Sequence, residues 1–189
     1  MRKFVFCCLS VFITVNMMAQ EHLAFKGIPI EGSMTEFCQK LKDKGFVYVG
    51  NQDNINLFTG DFTGRTANVG VTATDEGKKV FAVIVFFAPS GEWNSLVNTY
   101  NYYKDLYIRK YGKPANSKEF NPANSDTNVA LMAEVHNGRV IYASEWKISG
   151  GDIQLSIEKS SGVYEGLVMI RYRDAKNIEA KIKKDLEDI

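Results

Sequence analysis

The sequence predicts an α+β fold, an antiparallel sheet with helices packed on one face. Three observations carry that reading. Apolar residues recur at three- and four-residue intervals in three separate segments. Between those segments lie runs with the alternation, or the unbroken apolar character, of strands. The strand runs are divided by tight Gly-, Asn- and Ser-containing turns, and successive strands joined in that way pair antiparallel.

The chain opens with Arg2 and Lys3, an uncharged and mostly apolar run from Phe4 to Val15, and Met17-Met18-Ala19. This is the three-part layout of a secretory signal peptide, with cleavage expected after Ala19. The run is too short for a membrane anchor and is interrupted by Asn16. Val5-Phe6-Cys7 is the wrong run-up to a lipidated Cys8. Residues 1–19 are therefore read as a leader and 20–189 as one exported domain, periplasmic or secreted, with no stable membrane insertion. Loss of Arg2 and Lys3 turns the formal charge of +1 into about −1. A near-neutral domain has no electrostatic case for nucleic acid. Cys7 and Cys8 leave with the leader, so Cys38 stands alone and no intramolecular disulfide can form. The remaining chain of about 170 residues can bury roughly 70% of its unfolded surface, enough for one core.

Ser33-Met34-Thr35-Glu36 is a capping box that starts the first helix. Met34, Phe37, Cys38 and Leu41 share a face, and Lys44-Gly45 ends it. Val69, Val71 and Ala73 alternate with small polar residues, and Asp75-Glu76-Gly77 reverses the chain into Val80–Phe87, apolar on both faces. One face of that strand belongs to the core. The other is either covered by the segment 21–30 or another element, or left open to a partner, a second copy of the chain among them. A second helix from about Ser90 carries Trp93, Leu96, Val97, Tyr100, Tyr103 and Tyr107 on one stripe and stops at Gly112, before Pro114. The stretch from Lys113 to Asn128 reads as one long irregular loop. Asn137-Gly138 reads as a type I′ turn joining two strands. One face of that hairpin holds Leu131, Ala133, Val135, Val140, Tyr142 and Trp146. The other holds Glu134, His136, Arg139, Glu145 and Lys147, with Met132 and Ile141 as apolar exceptions. Gly150-Gly151 and Ser161-Gly162 mark the next turns, leading to strands at Ile153–Ile157 and Leu167–Tyr172. From about Asp174 a last helix places Ala175, Ile178, Ile182 and Leu186 on one stripe. The order suggests two helix-plus-four-strand halves, 33–88 and 91–172, with a capping helix at 174–188.

That order, in a chain with an export leader, resembles the beta-lactamase inhibitor protein-like architecture. Phe25-Lys26-Gly27-Ile28-Pro29-Ile30 leading into the capped helix, and the exit Tyr111-Gly112-Lys113-Pro114, are similar to uncharacterised exported proteins of anaerobic Gram-negative bacteria. The resemblance implies a sheet surface suited to gripping another protein.

No catalytic, cofactor or metal site emerges from the residues. His22 sits near the start of the exported chain, and His136 beside the Asn137-Gly138 turn reads as an exposed cross-strand neighbour of Arg139. Cys38 lies on an apolar helix face and reads as a small buried hydrophobe. Asp61, Asp75 and Asp152 lack the spacing of a calcium loop. Glu134 and Glu145 on one sheet face would be the carboxylate pair of a hydrolase acting outside the cytoplasm, the alternative to the main reading. That main reading is a non-catalytic binding module of the bacterial envelope, needing no cofactor, whose partner is a protein or cell-surface polymer. Its candidate partner-facing residues are Tyr102, which falls off the stripe of its helix, Met132 and Ile141.

Overall fold

The computed structural model describes residues 22–74, 79–187 and 189. The leader, its cut site and the Asp75-Glu76-Gly77 reversal lie outside the described residues. The fold is α+β, with a C-terminal helix and one eight-stranded antiparallel sheet as its frame. A short hairpin, β1 (Ala24–Phe25) and β2 (Ile28–Pro29), leads into helix α1 (Met34–Asp43). Strands β3 (Val47–Gln52), β4 (Ile55–Phe62), β5 (Arg65–Ala73) and β6 (Val80–Phe86) then form a meander. The pattern repeats with α2 (Trp93–Tyr111), β7 (Asn116–Phe120), helix α3 (Asn128–His136), and β8 (Ile141–Ile148), β9 (Gly151–Lys159) and β10 (Gly166–Asp174). Helix α4 (Ala175–Glu187) follows. The strand order β3-β4-β5-β6-β10-β9-β8-β7 joins the two meanders through their last strands. Each half thus contributes four adjacent strands and the helix before them, and the second half adds α3 between β7 and β8.

The helices lie on one face of the sheet, and the core lies beneath them. Ser33 and Glu36 make both bonds of the capping box, and Phe37, Cys38 and Leu41 are the buried side of α1. Gly45 follows with a φ of 88°, a left-handed conformation that favours glycine. On α2 the buried residues are Trp93, Leu96, Tyr100, Tyr103 and Tyr107, packed over Trp146, Leu155, Ile170 and their neighbours. Phe25 stacks on Phe62 at 5.8 Å and meets Tyr172 edge-on at 5.3 Å. The N-terminal hairpin therefore belongs to the helix-side core and does not cover the opposite face of β6. Asp174, fully buried, accepts from the Leu23 and Asn177 amides, and Asn177 Nδ2 donates to the carbonyls of Ile30 and Val80. These bonds fasten the N-terminal segment, β6 and α4 together.

Two expectations fail in the second half. Residues 128–136 are helix α3, not the first strand of a hairpin. Thr127 caps the helix by accepting from the Ala130 amide, and Ala, Leu, Met and Glu favour helix inside it. Asn137, at φ −77°, ends the helix, and only Gly138 turns left-handed, at 68°. An Asn-Gly pair serves a helix C-terminus as readily as a hairpin. Arg139 accordingly bridges back to Glu134 instead of facing His136 across a ladder, through Nε–Oε2 and Nη2–Oε1 contacts of 2.6 and 2.7 Å. The missing strand is β7, inside the stretch read as irregular. Every residue of β7 is exposed, so no buried alternation announces it. The last helix also differs from its reading: its stripe runs on into solvent, with Ile182 51% and Leu186 61% exposed.

Candidate functional site

The face of the sheet opposite the helices is uncovered among the described residues. Strand pairing fixes what it presents. One continuous cross-strand row runs Leu57, Gly70, Ile84, Arg171, Gln154, Glu145, Asn116. The next row runs Thr59, Asn68, Phe86, Met169, Ser156, Ala143, Lys118. Both rows are richer in apolar side chains towards β4, β6 and β10 and polar or charged towards β7.

At the apolar end, Ile55, Leu57, Ile84, Phe86, Leu167 and Met169 line a groove of about 410 Å³, with Gln52 and Asp53 at its rim. Gly70 forms part of its floor. A Cβ there would stand 3.0 Å from Ile55 Cγ2, so the depression depends on the missing side chain. Beside the groove, Arg171 donates to Gln154 at 2.8 Å, and Arg173 pairs with Asp152 at 2.7 Å and with Glu145 at 3.5 Å. Lys147 completes the network, 2.7 Å from Glu145. The Lys147 ammonium, then the Asn116 amide, hold the Glu145 carboxyl below the usual carboxylate range, with Arg173 adding its charge. These groups satisfy one another, so the stripe is a fixed pattern of charge. At the far end Phe120 and Ile141 face each other across the ladder, 49% and 40% exposed.

The sequence-derived candidates separate on this frame. Ile141 lies on the open face. Tyr102 is exposed on the helix side, with the Arg65 guanidinium 4.8 Å from its ring centroid. Met132, taken as the apolar exception of a water-facing strand, is 1% exposed because the segment is helical and turns it into the core, so it is withdrawn as a surface residue. Glu134 and Glu145 do not share a sheet face: one is on α3 with Arg139, the other on β8 with Lys147. His136 ends α3 with its ring 4.9 Å from that of Tyr164. His22 is not a loose terminus, since Nδ1 lies 3.0 Å from Asp174 Oδ2. Cys38 is buried and receives a bond from Asn56 Nδ2, and burial pushes its thiol pKa up, away from thiolate chemistry. Among the described residues no three His, Cys, Asp or Glu side chains gather as a metal site would need. No described helix is long and apolar enough to cross a membrane.

Reading the sequence for sites missed Leu57, Ile84, Phe86, Leu167 and Met169 as a group. The signal for the group was the doubly apolar strand β6; its neighbours across the groove follow only from the β4–β5, β5–β6 and β6–β10 pairings. Comparison with family models, with curated proteins and with solved structures found no match for this chain.

Proposed function

We propose that the chain is an exported, non-catalytic binding module of the bacterial envelope, and that its helix-free sheet face holds a partner protein. The observation that carries this reading is an apolar groove set beside an ion-paired stripe on a face that none of the described helices covers. Apolar centres bordered by ordered polar groups are the anatomy of protein interfaces. Eight strands at about 4.8 Å spacing make a face about 34 Å across, wide enough for the roughly 800 Å² that each partner buries in a standard complex. Five of the six apolar lining side chains are non-aromatic, with Phe86 the one ring, which favours a protein over a polysaccharide stacked on aromatic platforms. Export is supported by the basic start, the apolar run and the exit Met17-Met18-Ala19 of residues 1–19.

The test is site-specific photo-crosslinking in the producing cells. A photoreactive residue replaces Gln52, on the groove's rim, or Val129, 76% exposed on the helix side. A discrete protein adduct from position 52 and none from 129 is the expected result. Equal labelling from both positions, or none from either, overturns the reading. Sedimentation of the purified chain separates a foreign partner from a second copy.

A further inference from the structure

A different cavity, of about 330 Å³, opens on the helix side, where the β1–β2 turn, the β4–β5 turn and the last two turns of α2 meet over β10. Its walls are aromatic: Phe62, Tyr103, Tyr107, Tyr111 and Tyr172. Tyr107 and Tyr111 stack at 5.8 Å with their planes 27° apart, which leaves flat ring surface along one side. The remaining lining includes Leu106, Lys26 and Lys110, with no carboxylate side chain.

Three features go beyond core packing. The first is a spare hydrogen-bond donor. The Tyr107 and Tyr172 hydroxyls, in residues 7% and 6% exposed, bond to each other. A pair of hydroxyls has two protons and uses one between them. The second has no acceptor among the described residues. Burial raises both tyrosines well above their ordinary pKa, so that proton stays in place at any physiological pH. Because both residues line the cavity, that second donor is available to an acceptor entering it.

The second feature is charge. Lys26 Nζ donates to the Asp61 carbonyl at 2.9 Å and lies 3.9 Å from the exposed Asp61 carboxylate, a long surface pairing that leaves the ammonium donors to spare and that a ligand carboxylate would compete with. Lys110 Nζ lies 4.9 Å from the Tyr111 ring centroid. The third is the backbone that carries Lys26. Its φ is 48° and that of Gly27 is 78°, the left-handed pair of a type I′ turn. Asn or Asp would occupy the first position at less strain than Lys, so the turn alone does not account for this residue.

From these features we infer that the cavity binds a small organic anion with a planar apolar body, an aromatic carboxylate being the simplest case. The rings of α2 and β10 take up the body. The lysines hold the negative charge, and the tyrosine pair donates its free proton to a ligand oxygen. The site is separate from the open sheet face, so either can fail without the other.

The probe is 2-naphthoate, with neutral 2-naphthamide as its counterpart, titrated calorimetrically into the purified chain. Saturable binding of the naphthoate is expected, with a preference of about tenfold over the amide. Lys26→Gln with Lys110→Gln should remove that preference. Lys110→Gln alone, which breaks no hydrogen bond among the described residues, should weaken naphthoate about threefold while leaving the unfolding midpoint in place. Met169→Asp, on the opposite face, should leave naphthoate binding unchanged. Absence of saturable naphthoate binding, equal affinity for acid and amide, indifference to the lysine substitutions, or sensitivity to Met169→Asp would each overturn the assignment.

Discussion

On strand β6, Val83 and Val85 point into the core and are fully buried, while Ile84 and Phe86, one residue away, line an open groove. The same contrast recurs on β10, where Val168, Ile170 and Tyr172 are buried and Leu167 and Met169 are not. Both faces are apolar at the centre of the sheet, yet among the described residues only one is covered by helices and by the N-terminal hairpin. Large apolar side chains left only partly buried at the middle of a sheet are more than a face meeting water needs. The difference teaches that the covered face carries stability and the open face is free to carry contact.

The sharpest way to break this comparison uses neighbouring residues. Ile170→Ala, in the covered core, should cost about 2–5 kcal/mol in urea denaturation. Met169→Ala, next in the chain and on the other face, should cost about 1 kcal/mol or less. Equal losses would mean that the two faces share the work of folding. Asn177→Ala should cost about 2–3 kcal/mol, because the Ile30 and Val80 carbonyls lose their side-chain donor in a buried site. A neutral result would show that the N-terminal segment is not anchored there. Thr127→Ala should cost about 1 kcal/mol if 128–136 is a capped helix, and almost nothing if it is half of a hairpin.

The smallest effect concerns acid. The Glu145 carboxyl is held below its ordinary value of 4.5, chiefly by Lys147. A lowered folded pKa gives a contribution that is fully present above the unfolded value and fades as pH falls through the folded one. Following the Glu145 side-chain carboxyl carbon by NMR should place its midpoint below 4.5, and Lys147→Ala should return it towards 4.5. An unmoved midpoint would mean that the stripe is not a coupled network. Glu145 is close to solvent, so the change in overall stability should be slight.

Where sequence and structure agree, the deciding signals are local. The Ser33–Glu36 capping box, the aromatic stripe of α2 and the pattern of β8, β9 and β10 each sit within a few residues of one another. Where they disagree, the decisive partner is distant. The Trp93 amide at the start of α2 is capped by Asn128 Oδ1 from the start of α3, a bond no spacing rule announces. Strand β7 is held by its ladder to β8 and by the Lys104–Glu119 ion pair to α2, without a buried residue to mark it. Alternation at 131, 133 and 135 suggested a strand, but the residues that are buried are Met132 and Val135, three apart, as on a helix. The apolar groove was half legible. Ile84 and Phe86 stood out on a strand apolar on both faces, while Leu57, Leu167 and Met169 join them only through pairings between segments far apart in the chain.

The central claim is that the open face serves contact and not folding, and Met169→Asp tests it most directly. Arg171 already reaches residue 169, its Nη2 lying 3.3 Å from the methionine sulfur, so a carboxylate there has a cation at hand. The measurement is crosslinking yield from position 52 in the producing cells, read beside the urea midpoint of the same variant. The account predicts an unfolding free energy within about 1 kcal/mol of the parent and loss of the adduct. A destabilised chain, or a stable one whose adduct persists undiminished, would contradict it.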